Sequence, residues 1–164
     1  MKPNSASRVS DAGTYSRPLV GLRPGTVILT KDGEIPVEYL SAQDRIITRD
    51  TGYVALDRLT RQRGVTRAVR VAPGVLGKTD TDPETLLPAA QRVFLRDWRA
   101  AALTGATQGL IAIGQLVDGE FICDVGLRRM ELFCLHFARS HIIYADGIEL
   151  ASARPDNNAL RKVA

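Results

Sequence analysis

Cysteine and histidine are scarce, two of each in 164 residues, and aromatic residues make up only 5% of the chain. Two cysteines, Cys123 and Cys134, cannot build a disulfide framework, and they are expected to be free thiols in a reducing compartment. No apolar run approaches the roughly 18 residues that a membrane span needs. The opening MKPNSASRVSDAGTYSRPLV has no apolar stretch of the kind that makes a Sec signal. The expected location is therefore the cytoplasm, or outside the cell by a leaderless route. No glycine-rich loop leads from a strand into a helix, so nothing calls for a nucleotide or any other cofactor. What is present is a 45% hydrophobic share, ordinary for a folded chain and too high for one disordered throughout. The length suits one domain, which would hide roughly two-thirds of its unfolded surface.

The formal charge is +4, and 18 of the 22 basic residues are arginine. Seven of these, Arg45, Arg49, Arg58, Arg61, Arg63, Arg67 and Arg70, stand against only Asp50 and Asp57 between residues 45 and 70, a local surplus of five. Single-stranded nucleic-acid surfaces usually interleave such charge with stacking aromatics, and this stretch offers only Tyr53. A solvated, arginine-rich sheet face is the expectation, with polyanion or nucleic-acid binding as an alternative.

Residues 1–19 are polar and aperiodic, and read as a flexible tail. Short β-branched runs broken by turns follow, which predicts an all-β domain over residues 20–153. The run at 26–30 ends at Asp32-Gly33, a hairpin signal. Segment 34–40 alternates Ile35, Val37 and Tyr39 but contains Pro36, which confines it to an edge or short extended piece. Further strands are expected at 44–48, 53–59, 67–71, 92–95, 109–113 and 148–150, with one bent strand or two over 130–144. Residues 73–84 read as an exposed loop. The one helix is expected at 97–103, stopped by Gly105. Residues 154–164 read as a polar tail.

Metal-binding candidates are limited to Cys123, Cys134, His136 and His141, which have no paired-ligand spacing; buried thiols and structural histidines are favoured over a metal site. No Gly-x-Ser-x-Gly elbow exists, and neither cysteine opens a helix that would acidify it. Cys134 and His136 can share one face of a strand, though a chance pairing is favoured over a catalytic one.

Read in order, several blocks resemble the Hint domain shared by hedgehog autoprocessing regions and inteins, in its bacterial free-standing or C-terminal form. They are Gly21-Leu-Arg-Pro24-Gly25-Thr26, Asp32-Gly33, Pro36-Val37-Glu38-Tyr39-Leu40 and Asp44-Arg45-Ile46. The series continues with Gln91-Arg92-Val93 before Trp98, then Leu116 to Gly119, and Ile142 to Gly147. Over about residues 19–152 the resemblance implies a compact Hint-like β fold. In active members a first-block cysteine attacks the preceding carbonyl, and a later histidine polarises that peptide bond. The matching positions here are Gly21 and Gln91. Glycine has no nucleophile, and a glutamine amide does not titrate near neutral pH. No serine or cysteine lies within three residues of Gly21, and the nearest downstream hydroxyl, Thr26, belongs to the next strand. The resemblance thus implies a degenerate site in a structural or protein-interaction module whose expected partner is another protein. Residual autoprocessing by a different nucleophile is the alternative, and the oligomeric state stays open.

Overall fold

The computed structural model describes residues 18–76 and 83–155. Strands β1 (Val27–Thr30) and β2 (Gly33–Pro36) form a hairpin in which Ile28 faces Ile35. Its turn is held by the Thr30 hydroxyl, which donates to the Gly33 carbonyl at 2.7 Å and accepts from Asp32 N–H at 3.2 Å. Pro36 has no N–H to give a ladder, and the chain leaves β2 there for a 3₁₀ turn at Val37–Tyr39. The expected alternation through residue 39 is thus replaced by a turn that buries Val37 and exposes Tyr39. Strands β3 (Arg45–Thr48) and β4 (Gly52–Ala55) make the next hairpin.

The largest departure from expectation follows. The strand expected at 53–59 is divided between β4 and the start of β5 (Arg58–Val71), and the strand expected at 67–71 is the end of that same 14-residue strand. An unanticipated short strand, β6 (Thr85–Pro88), pairs with its end. Next come β7 (Arg92–Leu95), helix α1 (Trp98–Thr104) and β8 (Gly109–Ala112). Asp97 caps the helix by accepting the Arg99 N–H at 2.9 Å, and Gly105 ends it at φ 74°. Residues 113–116 form a second 3₁₀ turn rather than extended chain. The long apolar stretch at 130–144 is two strands, the end of β9 (Ile122–His136) and β10 (Ile142–Ala145), followed by β11 (Ile148–Ala151).

These strands form two antiparallel sheets. The larger has the order β2-β1-β3-β10-β11-β7-β8, with β4 added beside β3; the smaller is β6-β5-β9. In the smaller sheet β5 and β9 pair along their whole length, from Arg58 opposite His136 to Val71 opposite Ile122. One extra residue, Val125, is absorbed beside Gly126, whose φ of 79° suits glycine. Ile28, Ile46, Val93, Ile143 and Leu150 from the larger sheet pack with Leu56, Val71, Leu87 and Ile122 in one core. Full burial of each such side chain stabilises by about 1.5–3 kcal/mol. Among the described residues no helix is long and apolar enough to cross a membrane. Residues 1–17 and 156–164, which make up most of the two expected tails, lie outside the described residues, as do 77–82 of the expected loop.

Candidate functional site

Gly21 and Gln91, 70 residues apart in sequence, meet at the junction of the two sheets. The Gly21 N–H donates to Gln91 Oε1 at 3.0 Å. Gln91 is buried just before β7, and its Nε2 donates to the carbonyls of Ala151 at 3.0 Å and Arg92 at 3.1 Å. All the hydrogen-bonding capacity of the amide N–H pair and one lone pair of its oxygen are thereby used. On the other side, Leu22 exchanges two backbone hydrogen bonds with Phe133 of β9, at 2.9 and 2.7 Å.

Gly21 has a φ of 127°, which L side chains rarely adopt, and there is no room for a side chain. A β-carbon built there would lie 2.7 Å from the Phe133 carbonyl oxygen, 3.0 Å from Cys134 Sγ and 3.2 Å from Leu132 Cβ. The void lined by Gly21, Gln91, Phe133, Cys134 and Ser152 has about 10 Å³, at most one water.

The carbonyl of the Val20–Gly21 peptide is also held. Val20 O accepts from Gln62 Nε2 at 2.7 Å and from the Cys134 thiol at 3.3 Å. Neither Gln62 nor Cys134 stands out for this place in the sequence; only the pairing of β5 with β9 sets both beside Val20. Thr60 faces Cys134 across the ribbon, and its hydroxyl lies 2.7 Å from His136 Nε2. The expected sharing of one strand face by Cys134 and His136 is therefore present, with Thr60 beside both. Burial pushes the Cys134 thiol up, against opposing hydrogen bonds from Thr60 and Gln62. At neutral pH that leaves a protonated hydrogen-bond donor, not a thiolate.

The remaining candidates lie apart from this junction. Cys123 faces Arg70 near the start of β9, far along the ribbon from Cys134, and its thiol contacts the Glu120 carbonyl at 3.4 Å. Thr26 is buried just before β1, its carbonyl accepting from Val37 N–H. His141 is buried before β10, its Nδ1 2.8 Å from Asp50 Oδ2 and its ring edge-on to Phe137. Burial pulls the Asp50 carboxyl upward, yet hydrogen bonds from Ile142 N–H and His141 outweigh it and leave the group below its ordinary value. Among the described residues no three His, Cys, Asp or Glu side chains are placed to hold a metal.

Two antiparallel sheets joined where an early glycine meets a residue preceding a core strand define an all-β domain of the hedgehog/intein type. Residues 20–157 match the family model for the Hint domain, and the chain belongs to that family. Its fold is similar to that of a bacterial intein-like domain from Clostridium thermocellum, at 13% identity and a TM-score of 0.54, covering 82% of this chain and 99% of the other. It is also similar to a DnaB intein from Synechocystis, at 11% identity and a TM-score of 0.53, covering 82% and 99%. The gp41-1 intein gives 12% identity and a TM-score of 0.51, covering 79% and 96%. No curated protein matches the chain significantly.

Proposed function

We propose that this chain is a Hint domain whose self-cleavage site has become a structural joint, leaving a non-catalytic structural or protein-interaction module. The observation that carries the reading is the Gly21–Gln91 contact. The position that would bear the nucleophile has no side chain, a φ of 127° and a carbonyl oxygen where a β-carbon would go. Its partner is an amide that makes three hydrogen bonds and cannot titrate near neutral pH. Autoprocessing needs a nucleophile and a proton donor at a peptide bond, and these two residues supply neither.

The test is the intact mass of the purified protein before and after overnight incubation with dithiothreitol, which captures thioesters. One unchanged mass is expected. A fragment ending at Val20 overturns the proposal. One alternative has a specific observation behind it, the Cys134 thiol 3.3 Å from Val20 O. Its raised pKa and its role as a donor to the oxygen favour anchoring over attack. If cleavage does occur and Cys134→Ala abolishes it, that second reading replaces the first.

A further inference from the structure

On the β9 side of the ribbon, the described residues leave the edge from Leu127 to Glu131 without a backbone partner. β9 is the outer strand of its sheet, and among the described residues its backbone partners on the free side lie at its end: Leu22, bridged to Phe133, and Ala153, whose N–H donates to the Leu135 carbonyl at 3.1 Å. Since Phe133 turns both its N–H and its carbonyl outward to Leu22, the period of two turns the backbone groups of Glu131, Arg129 and Leu127 the same way. Among the described residues these outward groups have no backbone partner. An open edge of this kind is a template for another strand.

Its chemistry is basic and apolar. Arg128 and Arg129 are exposed on successive residues, and so on opposite faces of the edge, and neither forms an ion pair among the described residues. Leu127 is 66% exposed, and Val65, diagonal to it on the same face, 57%. Glu131, the acidic residue of this edge, is already bound by Arg61 at 3.1 Å and Arg63 at 3.7 Å.

We propose that the β9 edge from Leu127 to Glu131 docks an extended acidic segment of another protein, which adds to the sheet as a strand. This rests on the interaction-module reading and names its partner class. Other occupants fit the charge less well. A second copy pairing edge to edge would set Arg128 and Arg129 beside arginines of the other copy. The terminal segments of this chain are themselves basic: residues 1–17 carry Lys2, Arg8 and Arg17 against Asp11, and residues 156–164 carry Arg161 and Lys162 against Asp156. Nucleic acid would want aromatic side chains for stacking, and β5 and the 122–131 part of β9 have none.

The experiment titrates the full chain, at low salt, into a dye-labelled Glu-Val-Glu-Val-Glu-Val peptide with blocked ends, read by fluorescence anisotropy. Binding is expected. It should fall at least about tenfold with Arg128→Glu/Arg129→Glu and vanish when alternate peptide nitrogens of the probe are methylated. In the free protein, the amides of Leu127, Arg129 and Glu131 should exchange with solvent much faster than those of Arg128 and Met130, which point into the ladder. The proposal is overturned if the probe does not bind at millimolar protein, or if a Lys-Val peptide binds equally. It is also overturned if N-methylation leaves binding intact, if a single-stranded oligonucleotide binds tighter, or if the three edge amides are already protected. Cleavage is measured separately by mass, so the docking edge and the silent site can fail independently.

Discussion

Replacing Gly21 by alanine isolates the closeness of the joint, provided that it is compared with Gly33→Ala. Both glycines have positive φ, 127° and 108°, and both replacements stiffen the unfolded chain alike. A β-carbon at Gly33 meets nothing within 4 Å, whereas at Gly21 it meets backbone at 2.7 Å. The shared backbone cost is about 1–3 kcal/mol. The added cost at Gly21 is that of overpacking, about 1–3 kcal/mol. It cannot be relieved by rotating a side chain, because Phe133 O also accepts the Leu22 N–H at 2.9 Å, so a shift strains that bridge. For a domain of this size each kcal/mol is worth about 2–4 °C, so Gly21→Ala should melt roughly 2–12 °C below Gly33→Ala. Urea titration followed by far-UV circular dichroism gives the same comparison as free energy. Equal destabilisation within 0.5 kcal/mol, a threshold of about the usual additivity error, would refute the crowding on which the proposed silent site rests.

Gln91→Ala leaves the Gly21 N–H and the carbonyls of Arg92 and Ala151 without their side-chain partner, and should cost about 2–4 kcal/mol in urea titration. The double variant Gly21→Cys/Gln91→His should fold yet cleave over hours or not at all. Its β-carbon has to displace Phe133 O, and a neutral imidazole has one donor for two carbonyls; a 1 Å misplacement alone costs on the order of a hundredfold. Rapid thiol-induced cleavage seen by mass would show a site still preorganised. Because the Asp50 carboxyl lies below its unfolded value in the fold, its contribution is full above about pH 4 and is lost as pH falls through the folded value. Asp50→Asn should therefore lessen the fall in melting temperature as the pH drops below about 4. Asp97→Ala removes the cap of α1 and should cost about 1 kcal/mol by thermal melt.

Local signals carried much of the fold. The Asp32-Gly33 turn, the Asp97 cap and the Gly105 stop each act within a few residues, and each element lies where those residues place it. The ribbon was less legible, because Gly64 and the arginines interrupt the β-rich pattern of residues 58–71. Its continuity comes from the ladder supplied by β9, a partner more than fifty residues away. Strand β6 was hidden by prolines 83 and 88, which punctuate it locally, while its pairing with β5 is long-range. For the site, Gly21 and Gln91 could be linked through the order of the family blocks. Gln62 and Cys134 could not, since their approach to Val20 depends on the β5–β9 register.

That register gives the joint its physical meaning. The Val20–Gly21 peptide is gripped at its N–H by Gln91, which also ties to Ala151 of the larger sheet, and at its carbonyl by Gln62 and Cys134 of the smaller one. One peptide unit thus links both sheets, and each of its polar groups is paired, the N–H in a buried place where an orphan would cost about 1–3 kcal/mol and the carbonyl in a part-buried one. In an autoprocessing domain the same contacts would hold a bond to be broken. On the proposed reading they hold one to be kept, and cutting it would release the chain at the point where the two sheets are fastened. In that role the glycine lets the backbone approach Phe133 and the amide saturates its neighbours. A thiol and an imidazole would serve that role less well, so on the proposed reading the loss of the chemistry and the strength of the joint would be two consequences of the same pair of residues.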